Sequence, residues 1–257
     1  MELPDQSEYA VTMDNGVFET TVTDGVRQVR RQHTDWLSTG IDGGRQHADK
    51  AYNITVPAGW NNTALDAYIE QRVTAAGFET GGPALLTGVA QRHTRRAVCG
   101  SVAALVTAGL SNPAALPARS DVDSATATTE TERADDDPAN RRGTINIILV
   151  TTRALSAATQ ASLLAGVAEA KAATLVAKTG FTGTTSDAVI VGSDPDGKPA
   201  QFAGSATSVG QAARACVRDG LTAAIAARYP DGEYPGSVAD ADHGSTTTAT
   251  ATVSTPE

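Results

Sequence analysis

The sequence predicts an α+β protein of layered sheet or sheets, strand-rich in its N-terminal half and carrying two long helices in its C-terminal half. Two observations predict it. Up to residue 116 the apolar residues fall in short β-branched runs punctuated by Gly, Asn and Asp, the pattern of strands and turns. After residue 142 the apolar spacing lengthens twice into helical periodicity, each time close to a β-branched strand.

Tyr9 to Met13 and Val17 to Val22 flank Asp14-Asn15-Gly16, a turn of the kind that closes hairpins. Gly25-Val26 leads into a third strand ending near Arg30. Trp36 to Thr39 and Tyr52 to Val56 are short strands separated by Asp42-Gly43-Gly44. Asn62 to Thr74 reads as a helix with Asn62 or Thr63 as its cap. Ala84 to Val89 and Ala97 to Ala108 read as buried strands. Thr144 to Val150 is a β-branched strand, and Ser156 to Lys178 a long helix ended by Thr179-Gly180. Asp187 to Gly192 is a further strand, followed by the turn Asp194-Pro195-Asp196-Gly197 and a short strand from Pro199 to Ala203. Ser205 to Arg228 is the last helix.

Residues 1–116 and 143–235 therefore read as two halves of one domain. Between them lies an acidic insert, residues 117–142, in which Val122 is the only large aliphatic side chain. Such a segment cannot bury enough surface to offset its ordering entropy and is expected to be disordered. Residues 236–257, ending in Thr/Ala alternation, are expected to form a mobile tail.

Composition excludes several classes of function. The net charge is −9, which argues against a nucleic-acid surface because phosphates require a basic patch. The most apolar stretch, Val98 to Leu110, is 13 residues. A bilayer span needs about 20. Met1 to Glu8 carries three acids and no basic region followed by an apolar run, unlike a signal peptide. The expected setting is the cytoplasm. Lysine occurs only at Lys50, Lys171, Lys178 and Lys198, acids are abundant, and Ala, Thr and Val replace bulkier apolar residues. This pattern suggests adaptation to high salt, with a GC-rich mesophile as the alternative. The four histidines have no metal-like spacing, and two cysteines are too few for a closed thiolate site. Cys99 and Cys216 read as core residues.

Three features could carry chemistry. At about 100° per residue, Ala157, Ala161, Leu164, Val167, Ala168, Lys171 and Leu175 share one stripe of the long helix, with Glu169 about half a turn away. A lysine on an apolar face must snorkel, pair, or work as a fixed or desolvated charge. Asn146 shares a strand face with Thr144 and Ile148, so a carboxamide stands where an aliphatic side chain would be easier; it either satisfies a neighbouring loop or donates to a substrate. Thr182-Gly183-Thr184-Thr185-Ser186-Asp187 places hydroxyls and a carboxylate at the mouth of a strand. The loop has no Gly-Lys-Ser/Thr, so it is not a nucleotide-phosphate loop. Asp187 caps a turn, pairs with Lys171, or acts as a general base. The turn Gly109-Leu110-Ser111-Asn112-Pro113 is either a functional loop or a plain strand exit.

At these residues the sequence resembles the adenosylcobinamide amidohydrolase family. The shared motifs run in order: Leu37-Ser38-Thr39-Gly40 through Gly43-Gly44 to Asn53-Ile54-Thr55-Val56-Pro57, then Thr107 to Pro113, Gly143 to Ile147, Glu169 to Ala173, Thr182 to Ala188 and Phe202 to Thr207. They span Trp36 to Arg228, interrupted by the acidic insert. Thr87-Gly88-Val89 is followed by Ala90-Gln91-Arg92, where the family pattern has an acidic residue and a methionine. The resemblance implies hydrolysis of one amide of a corrinoid, cleaving the aminopropanol arm of adenosylcobinamide to give adenosylcobyric acid. It is a salvage step of coenzyme B12 synthesis associated with archaea. The corrinoid would be the substrate, with no cofactor and no metal-ligating residues assigned. A non-catalytic corrinoid-binding protein on the same scaffold is the alternative. Amide hydrolysis needs a nucleophile, an oxyanion donor and an acid for the departing amine. On this reading Asp187 or Glu169 activates water or Thr184, Asn146 stabilises the oxyanion, and Lys171 supplies charge or a proton. Asn53, Ser111, Asn112 and Gly183 would contact the substrate.

Overall fold

The computed structural model describes residues 13–14, 16–57, 60, 63–117 and 143–256. The first strand expected from the sequence, apart from its last residue, lies outside the described residues, as do its turn at Asn15, the Asn62 cap and nearly all of the acidic insert. What is described is an α+β fold built on a large mixed sheet.

In chain order the strands are β1 (Met13–Asp14), β2 (Glu19–Thr23), β3 (Val26–Ser38), β4 (Gly44–Thr55), β5 (Ala84–Thr87), β6 (Arg95–Cys99), β7 (Val102–Ala108), β8 (Pro113–Ala115), β9 (Ile145–Leu155), β10 (Gly183–Thr184), β11 (Ala188–Ala200) and β12 (Ser245–Thr246). The helices are α1 (Leu65–Ala75), α2 (Ala157–Thr179) and α3 (Ser208–Arg228). Nine of the described strands form one sheet of order β1-β2-β3-β11-β9-β7-β6, with β4 also paired to β3 and β5 parallel to β4. At its centre β9 and β11 run parallel.

The sheet folds over on itself. Its first half is β2, the start of β3, the end of β4, and β5; its second half is the end of β3 with β11, β9, β7 and β6. Val17 and Phe18, which lead into β2, join Val29, Ala51 and Leu85 of the first half against Ala103, Leu105, Ile148, Val150 and Ile190 of the second. Helices α2 and α3 cover the outer face of the second half by packing on Val102, Val106, Ile145, Ile147, Leu149 and Val191. Helix α1 and the Ala76 that caps it cover the first half, Val73 and Ala76 packing on Val26, Tyr52 and Ile54. The result is four layers, helix, sheet, sheet, helix. Buried faces alternate along β9, with odd residues toward α2 and α3 and even ones toward the inner interface, which puts Asn146 between the sheets.

Several boundaries differ from the sequence reading. The two strands expected around Arg30 and Trp36 are one strand, β3, interrupted by a bulge between Arg30 and Thr34. His33 takes the positive φ of 50° there, and its N–H donates to Asp49 Oδ1 at 2.8 Å. The expected strand Ala97 to Ala108 is a hairpin, because Gly100 adopts a φ of 55° and reverses the chain. Cys99, expected in the core, ends the first strand of that hairpin and is exposed. Asp194 to Gly197 is not a turn between strands but a bulge within β11. Helix α1 begins later than expected, with Ala64 at its N-cap and no side-chain cap. Helix α2 starts where its sequence implies, Ser156 accepting from Thr159 N, and Gly180 closes it with a left-handed φ of 79°; α3 starts at Ser208 rather than Ser205, because Thr207 takes the N-cap and accepts from Gly210 N.

The buried stripe of α2 is rotated from the expected one. Thr159, Gln160, Leu163, Val167, Ala170, Thr174 and Leu175 are buried, whereas Ala157, Ala161 and Ala168 face solvent. Alanines on every side leave the helical phase open, and Gln160 settles it by donating from Nε2 to Asp35 O at 2.7 Å and Val191 O at 3.0 Å. The tail is also more structured than its composition implies. Ser245–Thr246 adds a parallel strand to β8, whose other edge takes β10, in a three-stranded sheet. Backbone pairing satisfies these polar groups without any apolar side chain.

Candidate functional site

The starts of the parallel pair β9 and β11 lie together, and the hydroxyl-rich segment 182–187 crosses just before β11. Opposite them are the ends of β3, β4 and β5. Between the two sets opens a cleft of about 510 Å³ lined by Thr39, Asp42, Trp60, Thr144, Ser186 and Asp187 among others. A larger groove of about 610 Å³ between α2 and α3 is lined by Ala170, Ala173, Arg214 and neighbours and holds none of the expected site residues.

Asp187 is the hub of the site. Its Oδ1 accepts from Ile145 N at 3.1 Å and from the Thr184 hydroxyl; its Oδ2 accepts from Thr184 N at 3.0 Å and from Lys171 Nζ. The Lys171 and Asp187 side chains are only 13% and 10% exposed, so this is a buried ion pair joining α2 to the mouth of β11. Gly183 makes room for it: a Cβ there would lie 2.7 Å from Asp187 Oδ2 and 3.2 Å from Lys171 Nζ. Of the alternatives open for Asp187, the structure shows pairing with Lys171 together with capping of its own turn.

Ser186, beside Asp187, turns its hydroxyl toward Thr144 Oγ1 at 2.9 Å and donates to Gly143 O at 3.3 Å. Asn112 is fully buried; its Nδ2 donates to Thr185 Oγ1 at 2.6 Å and Ser186 Oγ at 3.4 Å, and its backbone O accepts from Thr185 N at 3.1 Å. Asn112 is thus a strut under the hydroxyl loop. Ser111 packs on the bare Cα of Gly143, where a Cβ would meet Ser111 Oγ at 2.7 Å.

Asn146 and Asn53 form a second polar unit, between the sheets. Asn146 Nδ2 donates to Asn53 Oδ1 at 2.8 Å and Leu86 O at 2.9 Å, and Asn53 Nδ2 donates to Thr107 Oγ1 at 3.2 Å. Both amide hydrogens of Asn146 are therefore engaged, while its Oδ1 is buried without a partner among the described residues.

The structure thus brings Lys171, Asp187, Thr184 and Gly183 into direct contact, places Asn112 and Ser111 behind the same loop, and sets Asn146 and Asn53 below the cleft. It does not bring Glu169 to them. Glu169 is on the outer side of α2, 65% exposed, with its Oε1 2.8 Å from Arg214 Nη1. Thr184 is buried and does not line the cleft. The cleft-lining hydroxyls are instead Thr39, Thr87, Thr144, Thr185 and Ser186. In the sequence Ser186 is visible only as one of several hydroxyls in its loop, and Thr144 only as a face-mate of Asn146.

At the rim, Asp42 lines the cleft and hydrogen-bonds Asp66 in the first turn of α1, which together with the Asp42 charge raises the Asp66 carboxyl above its ordinary range. Gln91, in the segment that departs from the family pattern, is buried: it donates to Thr55 Oγ1 at 3.1 Å and accepts from Arg27 Nε at 3.3 Å. Among the described residues no group of three or more His, Cys, Asp or Glu is placed to hold a metal ion, and no helix is long and apolar enough to cross a membrane.

The layered α+β scaffold thus carries a cleft of small-molecule size, lined by hydroxyls and backed by the Lys171–Asp187 ion pair, as small-molecule sites are. Residues 11–233 match the family described as adenosylcobinamide amidohydrolase. The chain is 50% identical over 242 residues to an adenosylcobinamide amidohydrolase of Halobacterium salinarum, covering 93% of this chain and all of that protein. It is 30% identical over 202 residues to an adenosylcobinamide amidohydrolase of Methanosarcina mazei, covering 75% of this chain and 90% of that protein. The chain belongs to the adenosylcobinamide amidohydrolase family and is a hydrolase acting on an amide bond.

Proposed function

We propose that this protein hydrolyses the amide that joins aminopropanol to the corrinoid of adenosylcobinamide, releasing aminopropanol and adenosylcobyric acid for coenzyme B12 salvage. The observation that carries this reading is that the family match, residues 11–233, contains the whole cleft and every residue that builds it. Water adds to the amide carbonyl carbon, the C–N bond breaks, and the departing amine takes a proton. The Ser186 and Thr144 hydroxyls, which face the cleft, meet the reacting carbonyl or the attacking water. Lys171, Asp187 and Thr184 form the positioning unit behind them. The Asp187 carboxylate already accepts hydrogen bonds from Ile145 N, Thr184 N, the Thr184 hydroxyl and Lys171, so it acts by holding the loop in place. Asn146 and Asn53 brace the floor, and the corrinoid enters as substrate without a further cofactor.

The acidic, lysine-poor composition supports work in a salt-rich cytoplasm. Incubation with adenosylcobinamide in high-salt buffer, followed by mass spectrometry, tests the reaction. A corrinoid carrying a free carboxylate in place of the aminopropanol amide establishes it, and turnover is expected to survive prior dialysis against a chelator. An unchanged corrinoid that co-elutes with the protein would establish binding alone.

A further inference from the structure

The two cysteines lie on the face of the sheet covered by α3, away from the cleft. Cys99 closes β6 and pairs with Val102 across the hairpin. Directly paired residues of antiparallel strands point to the same face. Val102 packs in the core under α3, so the Cys99 side chain points to α3 as well. Cys216, on α3, has its Sγ 3.6 Å from Val102 O and also meets the Cys99 backbone N–H.

A second contact fixes the alignment. The Cβ position of Gly220 lies 3.5 Å from Ala97 Cβ. Two residues along a strand advance about 6.6 Å, and four residues along a helix advance about 6 Å. Stepping from Ala97 to Cys99 and from Gly220 to Cys216 therefore keeps the pairs together, so Cys99 stands over Cys216 as Ala97 stands over Gly220. The two thiols differ in access: Cys99 is exposed and Cys216 is buried. Burial, and then the neighbouring Cys99, push the Cys216 thiol up to about 12.

We infer that Cys99 and Cys216 form a thiol modification site at which a low-molecular-weight disulfide is reduced and an intramolecular Cys99–Cys216 disulfide is made. In the first step the Cys99 thiolate attacks one sulfur of the small disulfide, forms a mixed disulfide, and expels one small thiolate. In the second step Cys216 loses its proton to solvent and attacks the Cys99 sulfur, expelling the second small thiolate. Two protein thiols are oxidised and one small disulfide is reduced to two thiols. The product ties the β6–β7 hairpin to α3. Exposure sets the order, Cys99 first, and the high Cys216 pKa makes the second step the slower one.

The test uses the full-length protein with glutathione disulfide as probe, followed by non-reducing peptide mapping. The expected result is a transient glutathione adduct on Cys99 that gives way to a Cys99–Cys216 cross-linked peptide, reversed by a thiol reductant. In Cys216→Ala the adduct on Cys99 should persist, and in Cys99→Ser the folded protein should not react. A wild-type adduct that persists as long as that of Cys216→Ala would overturn the inference. So would dimers linked through Cys99, or reaction at Cys216 in folded Cys99→Ser.

Discussion

Lys171 and Asp187 form a buried ion pair that joins the middle of α2 to the turn opening β11, and two backbone N–H groups, of Ile145 and Thr184, complete the shell of the carboxylate together with the Thr184 hydroxyl. The pair therefore fixes three elements at once: a helix, the start of β9 and the hydroxyl loop. Removing one member leaves the other buried and uncompensated, which costs about 3–5 kcal/mol. Lys171→Met and Asp187→Asn are each expected to lower unfolding free energy by that order, with the double variant losing less than the sum. Denaturant titrations of the four proteins check this. Strict additivity would show that the two side chains do not act as a unit.

Thr184 and Ser186 are two residues apart and are expected to respond differently. The Thr184 hydroxyl is spent on Asp187, away from the cleft lining, whereas Ser186 lines it. Thr184→Ala should cost about 1 kcal/mol of stability and leave kcat within about tenfold of the parent. Ser186→Ala should lower kcat by about 100-fold with little change in stability. Loss of turnover in a stably folded Thr184→Ala, with Ser186→Ala active, would make Thr184, in place of water, the nucleophile.

How much of this is legible in the sequence follows from the range over which each feature is set. The helical angle between Glu169 and Lys171 separates them, and in the structure they do point to different sides, toward Arg214 and Asp187. Strand alternation puts Asn146 on the face of Thr144 and Ile148, which is the inner interface. The core role of Cys216 follows from its stripe with Val209, Ala213, Val217 and Gly220, all buried. Cys99 does not share that fate, because it ends its strand at a hairpin and is exposed. The folding-over of the sheet depends on the His33 bulge and on long-range pairing, which leave no local period. Strands β10, β8 and β12 are two or three residues long, too short for any alternation to register. The motifs assign substrate contact to Asn112 and Gly183; in the structure neither lines the cleft, Asn112 hydrogen-bonding the hydroxyl loop and Gly183 leaving room for the Lys171–Asp187 pair.

Burial of Cys216 links stability to alkaline pH. Its thiol ionises near 9.0 when unconstrained and is raised to about 12 in the folded protein. Above the first value the unfolded chain releases this proton while the folded chain keeps it, so the neutral-thiol contribution is complete below pH 9.0 and is lost as pH rises toward about 12. The loss amounts to about 1.4 kcal/mol per pH unit. Unfolding free energy measured across this range should fall less steeply in Cys216→Ala than in the parent. Equal slopes would show that the folded thiol titrates as freely as the unfolded one.

The charge balance makes a prediction about salt. A net charge of −9 on 257 residues with 20 basic side chains produces self-repulsion that favours the expanded chain. Screening shortens the reach of that repulsion from about 8 Å at physiological ionic strength to about 3 Å at 1 M. Apolar burial, supplied here largely by Ala and Val, gains at the same time in salts excluded from the protein surface. The thermal midpoint is therefore expected to rise between about 0.1 and 2 M KCl at neutral pH, and to rise further in sulfate. Ion pairs oppose the trend, but Lys171–Asp187 is buried and screened weakly, while the exposed Arg218–Asp219 contact contributes little at any salt. A midpoint that falls as KCl is added would mean that attraction between unlike surface charges outweighs the acidic excess, and the reading of the composition as salt adaptation would fail.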